Sequence, residues 1–319
     1  MKKTLADIEK LRLIAIKKNR NCFENGCHSK SIDSHILQKN GVISRISERG
    51  HVIEFVTDPF QEHQIRFKKT GINEVFTFKG FCREHDNSLF EEIEKKIFDL
   101  NNYKHQLLFA YRTSVNETRK KESAIDFYQS SIYNPRFNFN SLDLGNRIAS
   151  EKIGIDDSDF TRSLLKENLT NSDKCDFVFF IRELPYYEVC VSGVCTFETS
   201  FEIKEMELQS DPKFFKPLTD VFVTLLPEEK KSILLIGFVR DYNPKCDDFY
   251  YKLFKQADDD TIIQHISDLM LLQIENWITS ISFYYSQIFP NESKIKSILH
   301  WARQNWDERL SIDYNIFKN

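Results

Sequence analysis

Four residues of types that bind metal ions fall into two short clusters near the start of the chain. Cys22 and Cys27 enclose four residues, so a tight loop brings both sulfurs toward one point. The second cluster holds Cys82 and His85, and a set of thiolate and imidazole ligands suits tetrahedral zinc. We therefore predict one structural zinc ion bound by these four residues. The alternative interpretation is a group of buried thiols, with Asp86 capping the helix that follows.

The elements around the two clusters must bring the four side chains together. A helix is predicted over residues 87–100, directly after the second cluster, because its apolar residues recur on one face. Strands are predicted at 50–56 and 75–78, and a helix over 4–18 precedes the first cluster. A Cys loop upstream and ligands at the start of a helix together predict a treble-clef-like zinc finger.

The order of the two clusters, with Ser34-His35 between them, resembles the HNH or His-Me finger nucleases in their zinc-stabilised form. The longer pattern, SHILQKN at 34–40 and GFCREHD at 80–86, also resembles a group of bacterial proteins of unassigned activity. The resemblance covers only the region of residues 20–100. It implies a finger built from two strands and a helix.

In that family, a His at the end of the first strand activates water, and a divalent ion binds the scissile phosphate. The resemblance implies that His35 is the general base. The family's final helix also supplies a metal-binding His separate from the zinc ligands, whereas here His85 is the only His of the second cluster, and Asp86 is the candidate to ligate a catalytic Mg²⁺ or Mn²⁺. Ser34 stands where the family has an acidic residue, and Asn40 is the candidate for the family's middle Asn. The implied function is a metal-dependent endonuclease of DNA or RNA, in bacterial defence against foreign DNA.

Two other functions stay open from the sequence. The first is a non-catalytic zinc-finger module that binds a nucleic acid or a protein partner, with His35 as a hydrogen-bonded or core imidazole. The second is an enzyme in the C-terminal half, for which only the size of that half argues. A deep pocket with clustered polar side chains would favour it.

Composition narrows the protein class without selecting a function. The chain has 319 residues and a net charge of −4, so no overall basic field indicates nucleic acid. The seven cysteines are an odd number and, outside the clusters, lie in apolar or strand-like segments, which argues against a disulfide framework. No signal peptide or membrane-spanning run is recognised, so we expect a cytoplasmic protein. The oligomeric state is left open.

The patterning predicts an α+β protein with three parts. A zinc-finger domain spans 1–100, a helical connector 101–170, and an α+β domain of unknown role 171–319. The basic residues of the connector, among them Arg112 and Lys121, are expected to form a solvated face. The third part is predicted to hold an antiparallel sheet of about five strands, followed by helices. The predicted strands are 175–182, 187–191, 194–205, 220–226 and 232–239. The predicted helices are 247–256, 260–287 and 292–304. Gly193 is expected to form the turn between two of these strands.

Overall fold

The computed structural model describes residues 2–95, 98–134, 137, 139–196, 217, 218, 220–243, 246, 250, 254–305 and 311–318. Within these ranges the protein combines helices with sheet, which agrees with the α+β prediction at that level. None of the described helices has both the length and the apolar character needed to cross a membrane.

The first third of the chain alternates short strands and helices. Its elements in order are α1 Lys2–Ile16, β1 Asp33–His35, a π-helical turn Lys39–Ile43, α2 Ser44–Ile46, β2 His51–Thr57, a 3₁₀ turn Glu62–Gln64, β3 Ile65–Gly71, β4 Thr77–Lys79 and α3 Arg83–Glu94. β1 pairs antiparallel with β4, which places His35 opposite Thr77. α3 follows β4 directly along the chain, so two paired strands and a helix make up this ββα segment.

Two long helices and a run of strands complete the described fold. In order, these elements are α4 Tyr103–Ile132, α5 Ser141–Thr170, β5 Phe177–Pro185, β6 Val189–Cys195, β7 Val221–Pro227, β8 Lys231–Val239, α6 Asp259–Leu272, β9 Trp277–Thr279, α7 Ile281–Phe283, the turns Tyr284–Ile288 and Phe289–Asn291, and α8 Glu292–Gln304. Residues 142–170 are predicted to form one or two helices with an interruption near Gly154, and the structure has one uninterrupted helix there, α5. Most of the helix predicted over 247–256 lies outside the described residues.

Seven strands form one antiparallel sheet in the order β3-β2-β9-β6-β7-β8-β5. β7 is buried along its whole length, which explains its almost uninterrupted apolar sequence. The predicted connection between β7 and β8 is present as a tight hairpin, in which the N–H of Glu228 donates to the carbonyl of Lys231 at 2.8 Å. The sheet is therefore the central layer against which the helices pack.

The sheet contains a strand that sequence periodicity had assigned to a helix. The helix predicted over 260–287 ends at Leu272, and Trp277–Thr279 forms β9 between β2 and β6. Trp277 is 1% exposed, and its indole N–H donates to the carbonyl of Met270 at 2.8 Å. A short apolar run has no period of its own, so its central place in the sheet, rather than local pattern, decides its conformation.

The turn predicted at Gly193 is wrong. Gly193 lies inside β6, where it pairs with Val223 of β7. A Cβ atom at this position would overlap the side chain of Ile274, so the glycine allows close packing and does not reverse the chain. The strand predicted over 194–205 is observed only as far as Cys195, since most of its remainder lies outside the described residues.

One strand pair joins distant parts of the sequence. Ile53 of β2 pairs with Thr279 of β9, so strands from the predicted zinc-finger region extend the same sheet as strands from residues 177–239. A hydrophobic core also crosses this boundary, since it includes Phe81 and Phe90 of the finger together with Cys190 and Phe222 of the sheet. The finger region is thus packed into the sheet scaffold.

Candidate metal centre

A tight loop positions the first two candidate ligands. The N–H of Cys22 donates to the carbonyl of Ser29 at 2.8 Å, and the N–H of Cys27 donates to that of Glu24 at 3.0 Å. Between them Gly26 adopts φ +76°, a left-handed conformation that glycine takes without strain. These turns direct both sulfurs toward the start of α3.

The start of α3 positions the other two candidate ligands. Cys82 is the N-cap of this helix, and its sulfur accepts the backbone N–H of His85 at 3.5 Å. The helix therefore begins at Arg83, four residues before the predicted start, because a thiol takes the place of the usual oxygen cap. Residues Cys82 and His85 are one helical turn apart, so their side chains point to the same side.

The four ligand atoms lie close together. All four atoms lie within 4.8 Å of one another, namely the sulfurs of Cys22, Cys27 and Cys82 and the Nδ1 of His85. Nδ1 of His85 is 3.3 Å from the sulfur of Cys22 and 3.4 Å from that of Cys82, and the sulfurs of Cys27 and Cys82 are 3.9 Å apart. A tetrahedral zinc with bonds of about 2.3 Å to sulfur requires edges of about 3.8 Å. The arrangement fits a metal ion such as zinc.

The two loop thiols differ in acidity in the metal-free protein. Burial raises the pKa of Cys22 to about 11, whereas hydrogen bonding by the backbone N–H of Ser29 lowers the pKa of Cys27 to about 7. Zinc binds the thiolate form, so Cys27 is the ligand most readily deprotonated at neutral pH. Binding would then release a proton from the buried Cys22.

The Cys22–Cys27 loop is anchored on the long helices by two of its own residues. Glu24 accepts the hydroxyl of Tyr111 at 2.7 Å and is paired with Lys166. The ring of Phe23 lies beneath two guanidinium groups, those of Arg119 at 4.8 Å and Arg162 at 4.5 Å. Sequence reasoning missed this anchoring, because nothing local indicates which helix the loop contacts.

His35 ends β1 and is half-buried. Its Nε2 lies 2.9 Å from the carbonyl oxygen of Ile72, so Nε2 carries the proton and Nδ1 has a free lone pair. Burial lowers the pKa of His35, an effect that the Ile72 carbonyl opposes. The imidazole is therefore neutral at pH 7, the state that a general base requires.

Asp86 lies in the first turn of α3, one residue after the ligand His85. Its Oδ1 atom is buried and has no hydrogen-bond partner within the described part of the chain. Burial raises the pKa of Asp86, while the positive charge of Arg112 and the hydroxyl of Ser34 oppose the rise. The charge of Arg112 also lowers the pKa of His35, so His35, Asp86 and Arg112 lie within electrostatic reach and form one polar cluster.

Arg112 is the residue of this cluster that sequence reasoning misplaced. It was expected on a solvated face, but it is 1% exposed in the core of the finger. Its guanidinium lies 4.0 Å above the ring of Phe90 and forms an ion pair with Glu94 at 2.5 Å. The charge is tolerated because the side chain is both paired and stacked, which a charge count along the sequence does not reveal.

The polar cluster is half-buried. His35 and Asp86 are each partly exposed, and the Oδ1 atom of Asp86 is buried. Asn40, the candidate for the family's middle Asn, is exposed in the π-helical turn after β1. The structure thus places Asp86 directly after the candidate ligand His85, and His35 on β1 next to Ser34, whose hydroxyl contacts Asp86.

Comparison of the chain with models of known protein families, with curated proteins and with solved structures finds no match.

Proposed function

We propose that this protein is a zinc-stabilised, HNH-like endonuclease that requires a second divalent metal ion to cleave nucleic acid. The observation that carries the proposal is the ββα unit in which His35 and Asp86 flank the Cys₃His group. In this proposal Cys22, Cys27, Cys82 and His85 hold a structural zinc in a treble-clef arrangement. The site would then lie next to a fixed metal centre, which suits precise positioning of reacting groups.

Two features of the residues support the proposed chemistry. Nδ1 of His35 has its lone pair free and the imidazole is neutral, so it can accept a proton from an attacking water. The buried Oδ1 of Asp86 has no partner among the described residues, and a carboxylate oxygen is a ligand that Mg²⁺ and Mn²⁺ prefer. The divalent ion would stabilise charge on the scissile phosphate when bound.

A second function is favoured by a different observation. His35 and Asp86 are both half-buried, and the buried Arg112 already offsets the charge of Asp86. These facts support a non-catalytic zinc-finger module in which the polar cluster stabilises the finger. Such a module would act by binding a nucleic acid or a protein partner.

Cleavage assays on the full-length, zinc-loaded protein distinguish the two functions. Labelled DNA and RNA are incubated with Mg²⁺ or Mn²⁺ and the wild type, His35→Ala, Asp86→Asn or the control His51→Ala. His51 is bonded only locally, to the carbonyl of Arg49, as far as the described contacts extend. The proposal predicts that His35→Ala and Asp86→Asn lose cleavage by about a hundredfold or more, with zinc content unchanged and His51→Ala active.

Either of two results would contradict the nuclease proposal. One is full cleavage by His35→Ala at unchanged zinc content, which would remove the assigned base. The other is no cleavage of any substrate by the wild type. In that case, binding to nucleic acid that weakens steeply with salt would support the module with a polyanionic partner, and its absence at low salt would support a protein partner.

A further inference from the structure

A large, partly open cavity lies between several elements, and none of the four candidate metal ligands lines it. Its volume is about 1460 Å³, and its lining mixes charged, polar and aromatic side chains. Residues from α1, β2, β3, α4, α5, α6 and α8 contribute to it. Clefts between elements are where proteins commonly bind small molecules.

One face of α4 forms a long wall of this cavity. The lining residues of α4 run from Asn116 to Tyr128, about 18 Å along the helix at 1.5 Å per residue. Lys120 and Lys121 stand in the middle of this wall, and Phe127 stands near its C-terminal end. This face of α4 therefore presents charged groups at its middle and aromatic side chains near its C-terminal end.

Some of the lining charges are already satisfied within the protein. Lys120 lies 3.3 Å from a carboxylate oxygen of Glu117 and 3.1 Å from one of Glu275. Glu275 also pairs with Arg303 at 3.9 Å, and Glu117 accepts the side-chain amide of Asn276 at 2.7 Å. The positive charge of Lys120 lowers the pKa of Glu275 to about 2, so this network is fully ionised at neutral pH. Because these charged groups are paired with one another, the network offers few free charges to a ligand.

Two opposite charges on the same walls remain unpaired. Over the described ranges, neither Lys121 of α4 nor Glu151 of α5 forms a hydrogen bond or an ion pair. The charge of Lys121 nevertheless lowers the pKa of Glu151, against the rise caused by burial, so the two groups lie within electrostatic reach. Neither group, however, is within ion-pair distance of the other among the described contacts.

The glycine at 154 makes room for the lysine. A Cβ on Gly154 would lie 3.1 Å from Cε and Nζ of Lys121, so the side chain of Lys121 passes directly over this position of α5. Glycine inside a helix costs about 1 kcal/mol relative to alanine. The close approach of Lys121 explains why a glycine stands at this helical position despite its cost: it allows the ammonium group of Lys121 to lie in the cavity.

Two more polar side chains face the same space. Asn116 is 3% exposed, and its amide nitrogen has no hydrogen-bond partner anywhere in the described structure. Asp220 also lines the cavity; burial raises its pKa to about 6, although Thr161 and Lys121 favour its charged form. A buried donor without an acceptor is costly, so Asn116 is best explained by a group that it binds.

We propose that this cavity binds a small zwitterionic ligand, one that carries both an ammonium and a carboxylate group, as free amino acids and short peptides do. The carboxylate would meet Lys121 and the amide of Asn116. The ammonium would meet Glu151 and Asp220. This site is independent of the metal centre and of any nuclease activity.

The mixture of charges argues against simpler ligands. A plain anion at Lys121 would leave the charge of Glu151 without a cation. A plain cation at Glu151 would leave the charge of Lys121 without an anion. A ligand with both charges satisfies each unpaired group and adds no net charge to the cavity.

Calorimetric titration of the zinc-loaded full-length protein tests the proposal. The probes are each standard amino acid and glycylglycine, and each probe is paired with its N-acetylated and its C-amidated form. We expect saturable binding of at least one zwitterion, and binding at least about tenfold weaker once either charge is blocked. This comparison uses only the wild type, so it does not depend on whether any variant folds.

Variants then locate the binding site. Lys121→Met and Glu151→Gln should each weaken the bound zwitterion about tenfold, whereas Lys152→Met, an exposed position of α5, should leave it unchanged. Zinc content and melting temperature verify the fold of each variant. The proposal is overturned if no zwitterion binds saturably, if a singly charged form binds equally well, or if both cavity variants bind like the wild type.

Discussion

Cys82 and His85 hold each other at the start of α3: the sulfur of Cys82 lies 3.4 Å from Nδ1 of His85 and accepts the N–H of the same residue. The helix cap and half of the metal site are therefore one structural unit. A metal ion bound there would also fix the first turn of the helix. Metal binding and the folding of the finger are thereby coupled.

Replacement of one ligand should remove both zinc and stability. We expect wild-type protein to contain one zinc per chain by elemental analysis, and Cys82→Ser to contain almost none. Because binding energy at such a site is folding energy, the variant should also melt at a clearly lower temperature. A chelator should lower the melting temperature of the wild type but leave that of the variant unchanged.

Cys175→Ser is the matched control, because Cys175 is an exposed thiol outside the cluster. It should retain its zinc and its melting temperature. A zinc-free wild type, or a Cys82→Ser variant with full zinc, would refute the assignment of the metal centre.

The buried side chain of Arg112 should matter more than an exposed ion pair on the same helix. Arg112→Met removes the pair with the exposed Glu94 and leaves the half-buried Asp86 without its cation, so we expect a loss of about 2–3 kcal/mol in the free energy of unfolding. Lys104→Met breaks the exposed pair with Glu92 and should cost no more than about 1 kcal/mol.

Urea denaturation of both variants measures these changes. Equal costs for the two substitutions would show that Arg112 is not held in the core as described. A change in the slope of unfolding free energy against urea would instead indicate an altered unfolded state.

Two glycine-to-alanine substitutions should act in opposite directions. Gly154→Ala should stabilise the protein by about 0.5–1 kcal/mol, because alanine favours the helix and only the flexible end of Lys121 must move. Gly193→Ala should destabilise it by about 1–3 kcal/mol, because the new methyl group would overlap Ile274 in the packed core. Thermal and urea denaturation provide both values, and the same sign for both variants would contradict the packing described.

Asp268 should make stability depend on pH in a defined direction. Burial raises the pKa of this carboxyl group to about 6 from the ordinary value of 3.8, although Gln264 donates to it at 2.9 Å. The folded state then binds more protons than the unfolded state between these two values. Stability contributed by this group is therefore present below pH 4 and is lost as pH rises toward 6, by roughly 1–3 kcal/mol.

Asp268→Asn should abolish that decline. The metal ligands stay in both proteins, so their titration cancels in the difference. The imidazole of His265 lies 4.0 Å from the carboxyl group, so His265→Gln in both backgrounds removes its coupled titration. Urea denaturation at a series of pH values between 4 and 7 measures the difference in unfolding free energy between Asp268→Asn and the wild type. A difference between variant and wild type that is constant with pH would show that the carboxyl group titrates normally.

Much of the fold followed from local pattern. The long helices α4 and α5, the hairpin of β7 and β8, and helix α8 are strongly periodic or bounded by clear turn residues, and their predicted limits agree with the observed limits within a few residues. The failures lie where packing overrides local pattern. Gly193 resembled a turn because its neighbours are strand-forming, and Trp277 resembled part of a helix because apolar runs are ambiguous.

The sequence by itself determined which side chains form the Cys₃His group, because Cys and His at fixed short spacings meet through a tight loop and one helical turn. Only the tertiary structure decided what surrounds them. It buried Arg112 beside Asp86, and it seated the Cys22–Cys27 loop on α4 and α5. It also placed Lys121, Asn116, Glu151 and Asp220 around one cavity. These residues are distant along the chain, and their contacts depend on how helices pack on the sheet, which no local pattern encodes.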